Sequence, residues 1–330
     1  MTENEFLLED RLGVIRDTIT KYGEENFYLS FSGGKDSTVV HHLLDMALPN
    51  NKIPRVFSNT GIEFKAISEF VQSLNDERIV IISPTKNIRE TLQKVGYPFK
   101  SKLYSQHFAT FMKNKDEVQK YFKMIEENPK LKENYDFIHN LPYGVKTIVK
   151  YYYNLRERER EIGKSMGFLT FPDKLKYQYK EGFEMNISDR CCYEFKENPI
   201  KEWEKANNKP HKILGLMRAE GGRRATSKCK AFKNGKLSFS PLAVVTKEWE
   251  EWFINEYHIE LCKLYYPPFN FERTGCKGCP YNIQIQEELD ALEKHLPEEK
   301  RQCEYLWKPV YDEYRRIGYR LKSEEQLKLL

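Results

Sequence analysis

Tyr28-Leu29-Ser30-Phe31-Ser32-Gly33-Gly34-Lys35-Asp36-Ser37-Thr38 is the stretch whose reading decides the fold of this chain. Phe27 to Phe31 is a short apolar run, the pattern of a buried strand. It breaks at Ser32-Gly33-Gly34, and helical spacing of Val39, Val40, Leu43, Leu44 and Ala47 follows at once. Strand, glycine turn and helix bring backbone N–H groups and a helix N-terminus to one point. Unpaired donors and the positive end of the helix dipole attract phosphate there. Gly33 and Gly34 let the backbone approach an anion with no Cβ in the way. Ser30, Ser32, Ser37 and Thr38 add hydroxyls, and Lys35 adds a cation. Asp36 suits an anion site only as a ligand for magnesium. An ordinary βα turn, with Asp36 or Ser37 capping the helix, is the plainer account; the full set of polar groups favours a phosphate loop. It is not a Walker A loop. The first glycine of G-x-x-x-x-G-K-S/T would fall on Leu29, and Asp36 stands where Ser or Thr is needed.

Composition sets the outer limits. The chain has 330 residues, enough for one large domain or two modest ones. It is 40% hydrophobic and 31% charged, a globular mixture, and its 14% aromatic content argues against disorder. A net charge of +5 permits a nucleotide or nucleic-acid partner without demanding one. No apolar run is long enough to cross a bilayer, so no membrane partner is expected. Met1-Thr2-Glu3-Asn4-Glu5 is acidic and lacks a signal-peptide pattern, so a cytoplasmic location is expected. Seven cysteines in a reducing compartment point to metal or redox chemistry rather than to a disulfide framework.

Beyond the loop, strands and helices alternate. Phe6, Leu7, Leu12, Val14, Ile15 and Ile19 mark a helix before the first strand. Pro54-Arg55-Val56-Phe57 reads as a second strand, ending at Ser58-Asn59-Thr60-Gly61-Ile62-Glu63-Phe64. A helix to about Leu74 follows, and then a third strand over Arg78-Ile79-Val80-Ile81-Ile82-Ser83. This spacing implies βαβ units, a parallel twisted sheet with helices on both faces, and ligands beyond the carboxyl ends of the strands. From about residue 87 to residue 180, Lys, Glu and Tyr dominate, and a helical insertion is expected. Tyr151-Tyr152-Tyr153 with Arg156, Arg158 and Arg160 could stack bases and hold phosphates. Glu157, Glu159 and Glu161 alternate with those arginines and favour a solvated face instead. Lys212 to Met217 reads as a return to the sheet. It leads into Arg218-Ala219-Glu220-Gly221-Gly222-Arg223-Arg224, a loop able to grip phosphate or sulfate. Leu237 to Leu242 reads as a further strand. Trp249, Trp252 and Phe253 share one face of a helix, and two helices are expected between residues 283 and 321. The expected organisation is a nucleotide-binding half over 1–90, a helical insertion over 91–185, and the rest of the α/β domain with C-terminal helices over 186–330.

Cys191-Cys192 and, further on, Cys276-Lys277-Gly278-Cys279-Pro280 form two thiol pairs. Four thiolates in two pairs can surround an iron–sulfur cluster or a zinc ion. Adjacent cysteines diverge and fit one tetrahedral zinc poorly, whereas a cluster spreads several irons in space. A 4Fe-4S cluster is therefore the first expectation and zinc the second. Cys262 reads as core, Cys303 and Cys229 have no partners by spacing, and Cys229 lies close to the arginine loop.

Taken together, these residues resemble the phosphoadenosine phosphosulfate (PAPS) reductase family, within the PP-loop ATP pyrophosphatase, adenine nucleotide α-hydrolase-like superfamily. Ser32-Gly33-Gly34-Lys35-Asp36-Ser37 is similar to the S-G-G-x-D-S nucleotide loop. Val56 to Phe64 is similar to the family's V-F-x-D-T-G-x-E-F element, with Asn59 where Asp is usual. Cys191-Cys192 with Lys196 and Pro199 resembles the C-C-x-x-x-K-x-x-P element of cluster-bearing adenylyl-sulfate reductases, and Cys276 and Cys279 fall where those proteins have their second ligand pair. Gly215 to Glu220 resembles the G-x-R-x-x-E-S loop, with Arg218 shifted and no Ser. The resemblance covers about 25–85 and 185–285. It implies nucleotide contacts from Asn59, Thr60, Gly61, Glu63, Arg223 and Arg224 as well as from the loop, and catalytic roles for Lys35, Asp36 and Arg218.

The resemblance implies one of two activities. The first is cleavage of ATP between its α- and β-phosphates with Mg2+, adenylylating an acceptor for sulfur transfer, with tRNA or DNA as the acceptor and an electron- or sulfur-donor protein as partner. The second is reduction of a sulfonucleotide to sulfite. The intact loop favours the first. The second needs a late nucleophilic cysteine, and Cys303 is the one late candidate. A non-catalytic nucleotide-binding, cluster-bearing sensor is the third expectation, and the complete set of loop polar groups counts against it.

Overall fold

A computed structural model of the chain describes residues 1–155, 171–221 and 224–323. The chain divides into two compact units. One comprises Met1–Thr85 and Cys192–Lys277; the other comprises Lys86–Cys191 and Gly278–Leu330.

In the first unit six strands form one sheet. They are β1 (Phe27–Phe31), β2 (Arg55–Ser58), β3 (Ile79–Ile82), β4 (His211–Ile213), β5 (Lys230–Lys233) and β6 (Lys236–Phe239), in the order β3-β2-β1-β4-β6-β5. All neighbours are parallel except β5, which runs antiparallel to β6. The central strand β1 pairs Leu29 with Arg55 on one side and with Ile213 on the other. The chain leaves β1 toward β2, while β4 flanks its opposite edge. The turn after β1 therefore opens at a point where the strand order reverses, the usual ligand position in such sheets.

The helices follow from capping and apolar spacing. α1 (Glu3–Tyr22) begins in a capping box between Thr2 and Glu5 and buries Leu8, Leu12, Ile15 and Ile19. Phe6, expected on that face, is 63% exposed. α2 (Lys35–Ala47) buries Val39, Val40, Leu43 and Leu44, and α3 (Lys65–Ser73) buries Ile67, Phe70 and Val71. The helix Lys247–Glu256 is capped by the Thr246 hydroxyl, which accepts from Trp249 N at 3.2 Å, and it buries Trp249 and Phe253.

Three departures from expectation have local causes. β4 stops at Ile213, and Leu214 N bonds to the Phe239 carbonyl before the chain turns toward α2. The antiparallel pair of β5 and β6 was not anticipated. It closes through Asn234 (φ 50°) and Gly235 (φ 74°), both left-handed as a two-residue hairpin turn requires. The second strand, expected from sequence, buries a charge: the Arg55 guanidinium is 0% exposed. Arg55 donates to His41 Nδ1 (3.1 Å), Asn51 Oδ1 (2.7 Å) and Asp45 Oδ1 (2.7 Å), so its charge is paired and its donors are occupied.

The second unit is helical over Ile88–Val95, Lys102–Lys113, Lys115–Glu127, Tyr135–His139 and Tyr143–Tyr152. Near the end of the chain three helices appear where two were expected: Ile285–His295, Pro297–Leu306 and Lys308–Arg316. Proline at the first turn of the second and third separates them, because proline starts a helix readily and cannot continue one. The core is aromatic. Tyr104, Tyr151 and Tyr179 are almost fully buried, Phe111 and Tyr179 lie 4.6 Å apart, and Phe122 stacks on Tyr152 at 4.3 Å. Tyr151 and Tyr152 are thus core residues, which corrects both the favoured reading of a solvated face and the alternative of a base-stacking surface. Arg156, Arg158 and Arg160 lie outside the described residues. Among the described residues no helix is long and apolar enough to cross a membrane.

Candidate functional site

The glycine turn is built in the first unit by close packing. Gly33 sits at φ 68°, and a Cβ there would come within 2.8 Å of Val71 Cγ2 on α3. Both the backbone angle and the space require glycine. Gly34 is the N-cap of α2 and supplies no side-chain cap, and the first helical N–H, of Lys35, donates instead to the Tyr265 hydroxyl. Ser37 holds the loop shut. Its hydroxyl donates to the Gly34 carbonyl at 2.9 Å, lies 2.9 Å from Ser32 Oγ and accepts from Ser32 N at 3.2 Å. Thr38 is spent on the same carbonyl at 3.0 Å and is fully buried. The loop after β4 presses on the first turn of α2: a Cβ on Gly215 would lie 2.8 Å from the backbone carbonyl carbon of Asp36.

A cavity of about 110 Å3 opens on this turn, lined by Ser32, Gly34, Lys35, Asp36, Arg224 and Arg273 among others. Its size suits one or two phosphate groups. Tyr265 forms part of the wall; its hydroxyl accepts from Lys35 N at 2.9 Å and lies 2.7 Å from Thr274 Oγ1. Glu220 aims the arginines, since its nearly buried carboxylate pairs with both Arg224 and Arg273. Arg224 Nη1 in turn lies 3.8 Å from Asp36 Oδ2. A second cavity, of about 720 Å3, shares Lys35, Asp36 and Arg273 and extends past Ile259, Leu261 and Phe271. That volume is within the range of small-molecule sites.

Glu250, from the helix Lys247–Glu256, stands at the floor of the larger cavity. It is 0% exposed, and Lys35 Nζ lies 3.1 Å from its Oε2. Burial pushes the Glu250 carboxyl up to about 7, Asp36 adds to the rise and Lys35 opposes it. Burial likewise raises Asp36, against the pull of Lys35 and Arg273.

Several residues expected to contact a nucleotide line neither cavity. Arg218 is exposed, donates from Nε to the Ser227 carbonyl at 2.6 Å and lines neither cavity. Arg223 lies outside the described residues. Ser30 lies within β1, before the turn. Asn59, Thr60, Gly61 and Glu63 form a self-contained turn. Asn59 Oδ1 accepts from Gly61 N at 3.3 Å, and Glu63 Oε2 accepts from Thr60 N (2.8 Å) and Thr60 Oγ1 (2.6 Å). Glu63 then pairs with Lys196 at 3.2 Å and bridges to Cys276 in antiparallel fashion.

Cys192 and Cys276 belong to this unit. Burial raises the Cys276 thiol, while the Lys196 ammonium beside it pulls the other way. Burial opposes the charge on Lys196, yet the Cys276 thiol and the Glu63 carboxylate hold its pKa well above the ordinary value. Lys196 lies in a π-helical turn, Tyr193–Glu197, set by Pro199, which has no N–H for the Phe195 carbonyl. Ser58 Oγ fills that gap at 3.0 Å. Cys191 and Cys279 belong to the other unit. There Gly278 (φ 62°) leaves no room for a Cβ, which would fall 2.7 Å from Cys303 Sγ, and the Gly278 carbonyl accepts from Tyr311 at 2.5 Å.

Among the described residues, His41, Asp45 and Asp76 bring three potential metal-ligand atoms within 4.8 Å of one another. Arg78 already binds both oxygens of Asp45 (2.7 and 3.0 Å) and pairs with Asp76 at 2.6 Å, so the group is an ion-pair network with its carboxylates occupied. Sequence reading missed Glu250, Tyr265, Arg273 and Thr274 as site residues. Arg273 and Thr274 carry a local signal, since they immediately precede the Cys276 turn. Glu250 carries none, because its helix is marked only by aromatics.

Residues 26–134 match the model of the phosphoadenosine phosphosulfate reductase domain. The match runs into the helical segment and stops short of 185–285, where a resemblance was also expected. No curated protein matches the chain. Three solved structures are similar to it. A phosphoadenylyl-sulfate (PAPS) reductase from Candida auris, in a phosphate complex, is 10% identical with a TM-score of 0.43, over 84% of this chain and 96% of that one. An NH3-dependent NAD synthetase from Campylobacter jejuni subsp. jejuni, in complex with the nitrate ion, is 11% identical with a TM-score of 0.37, over 94% and 95%. The U34-tRNA thiolase NcsA from Methanococcus maripaludis, with its 4Fe-4S cluster, is 14% identical with a TM-score of 0.37, over 97% and 82%. The glycine turn, the first three strands of the sheet and the match to the phosphoadenosine phosphosulfate reductase domain coincide over the same residues, 26–134.

Proposed function

We propose that this protein binds ATP at the glycine turn, cleaves it between the α- and β-phosphates, and so adenylylates an acceptor for sulfur transfer. The observation that carries the reading is the 110 Å3 cavity, where the N-terminus of α2 meets Lys35, Arg224 and Arg273. Charge builds on the departing pyrophosphate as the bond to Pα breaks. Fixed cations and N–H donors lower the barrier when they are aimed at that charge beforehand. Glu220 does the aiming by holding both guanidinium groups. In the first step an acceptor oxygen bonds to Pα and pyrophosphate leaves with the electron pair. In the second, sulfide-level sulfur bonds to the acceptor atom that carries the adenylylated oxygen, and that oxygen leaves with AMP. The 720 Å3 cavity gives room beside the phosphates for a nucleoside-sized body.

An iron–sulfur cluster held by Cys191, Cys192, Cys276 and Cys279 would supply a point of attachment for the transferred sulfur. Support comes from the spacing of the thiols along the chain and from Lys196, whose ammonium offers charge compensation at Cys276. A nucleic acid, tRNA or DNA, is the proposed acceptor. Residues 86–155 carry thirteen Lys and Arg against seven Asp and Glu, which suits a polyanion. A donor protein for sulfur or electrons completes the proposed cycle, in the cytoplasm.

The test is incubation with α-labelled ATP, Mg2+ and a tRNA or DNA pool. AMP and pyrophosphate are expected, with release falling at least ~100-fold in Lys35→Ala and Asp36→Ala while circular dichroism is retained. Unchanged turnover in both variants would remove the reading. The family match favours a second reading, a sulfonucleotide reductase, which sulfite release from a sulfonucleotide with thioredoxin would reveal. Cys303 counts against it: the thiol is 1% exposed, within the helix Pro297–Leu306.

A further inference from the structure

The sheet ends in a basic edge that the phosphate turn does not explain. Over residues 205–236, ten Lys and Arg stand against one acidic residue, Glu220. Glu220 is already paired with Arg224 and Arg273. The lysines gather on the β5–β6 hairpin: Lys228, Lys230, Lys233 and Lys236 fall in a stretch that holds no Asp or Glu. Lys236 pairs with Glu204 at 3.0 Å. Among the described residues, no carboxylate pairs with Lys228, Lys230 or Lys233. Lys233 stands directly across the ladder from Lys236, and opposed like charges destabilise a strand pair. An anion at Lys233 relieves that repulsion.

β5 is the last strand of the sheet, and its whole length is exposed. It runs antiparallel to β6, so it begins at the carboxyl end of the parallel strands, the end that carries the glycine turn. There the Cys229 carbonyl accepts from Ser240 N at 2.7 Å. Lys228 and Lys230 thus start at the phosphate end of the sheet, and Lys233 lies further along the same edge. Aromatic rings accompany them. Phe232 is 57% exposed, and its ring lies 5.6 Å from that of Tyr22, which is 5.7 Å from His211. Lys21 sits 5.4 Å over the Tyr22 ring. Lysines on an edge strand guard it against pairing with another chain, but an exposed aromatic between two of them invites contact. Cations spaced along a strand, with open ring faces between them, suit a single-stranded nucleic acid: phosphates meet the cations and bases stack on the rings.

We propose that the β5 edge docks a single-stranded stretch of nucleic acid, with Lys228, Lys230 and Lys233 on its phosphates and Phe232 under a base. The proposal deepens the acceptor reading and rests on it for why a nucleic acid comes to this protein; the surface itself rests on the hairpin. It puts the grip in the unit that holds the glycine turn.

The test uses the full chain and a fluorescein-labelled single-stranded DNA of mixed sequence, and its RNA counterpart, with binding read by anisotropy against salt. Lys228→Gln/Lys230→Gln/Lys233→Gln is expected to weaken binding at least about tenfold and to lower the salt slope by about 2, the loss of three phosphate contacts. Phe232→Leu keeps an apolar side chain beside Tyr22 but no ring. It is expected to lose about fivefold or more with the slope unchanged, while Phe232→Tyr binds as wild type. Lys294→Gln/Arg301→Gln/Lys308→Gln removes the same charge from exposed positions on the C-terminal helices and should bind as wild type. Equal losses in the two triple variants, unchanged binding in Phe232→Leu, or polyglutamate competing as well as the oligonucleotide would leave a general cation patch and overturn the proposal. So would a wild type that binds neither strand. AMP release separates this failure from that of the ATP reading. If the hairpin variants lose the oligonucleotide while Lys35→Ala leaves ATP turnover unchanged, the surface stands and the ATP reading falls. If Lys35→Ala abolishes turnover and the hairpin variants bind as wild type, the surface falls and the ATP reading stands.

Discussion

Arg218 lines neither cavity at the glycine turn whereas Arg273 lines both, and the reason is geometric. Arg218 follows β4 in a 3-10 turn and spends its Nε on the Ser227 carbonyl. Arg273 arrives from a distant loop, pairs with Glu220 and faces the glycine turn. Arg273→Ala is therefore expected to slow pyrophosphate release about 10- to 100-fold, the range for loss of a charge-stabilising group. Arg218→Ala should leave it near the wild-type rate; the two rates measured side by side check this, and the reverse order would return Arg218 to the site. Gly33 was legible from sequence because two requirements coincide there, a left-handed φ and the methyl of Val71 at 2.8 Å from any Cβ. Glu250 was not legible. Nothing in its neighbours tells that its helix buries an acid beside Lys35.

At the scale of elements, α2 and β2 are joined by charge as well as by apolar contact. His41 on α2 accepts from Arg55 Nε on β2 and must be neutral to do so. Burial, and then Arg55, depress its pKa from the ordinary 6.5 to about 4. A depressed histidine stabilises the fold fully above its unfolded pKa. As pH falls from about 6.5 toward 4 the unfolded chain takes up the proton first, and about 3 kcal/mol of stability is lost. Glu250, whose carboxyl burial raises to about 7, adds stability as pH falls through the same window. The His41 share is therefore the difference from His41→Gln, which keeps an acceptor for Arg55: in urea melts, wild type should lose stability relative to this variant as pH falls. Burial works against Asp45 and Asp76, yet Arg78 and Arg55 hold both below the ordinary range, so neither titrates in this window. The strands themselves were largely readable, since short apolar runs bounded by turns leave little choice. The β5–β6 hairpin was passed over although Asn234-Gly235 announces it, because both strands are short and β5 is exposed along its length.

Across the whole molecule, the four cysteines are shared out by the division of the chain: Cys192 and Cys276 to one unit, Cys191 and Cys279 to the other. Each pair stands where the chain passes from one unit to the other. Protein purified without oxygen is expected to be brown and to contain iron and acid-labile sulfide in equal amounts, about four of each per chain for a 4Fe-4S centre. One zinc per chain without sulfide would replace the cluster by the second expectation. The positive charge is also unevenly held, with thirteen basic against seven acidic residues over 86–155. Tyr151 and Tyr152, read from sequence as part of a solvated face with a nucleic-acid surface as the alternative, lie in the core of that segment. Aromatic rings with few competing aliphatic side chains bury more area against one another than in water.

What the sequence determined by itself was the parallel sheet and the glycine turn at the end of β1, in the stretch 26–134 that matches the phosphoadenosine phosphosulfate reductase domain. These depend on local periodicity and on glycines whose backbone angles are written into neighbouring residues. What only the tertiary structure decided was which charges meet at that turn. Glu220, Glu250 and Arg273 reach it from separate loops and a helix, and a charge acquires its role from the partner folding puts within a few ångströms, which no spacing along the chain encodes.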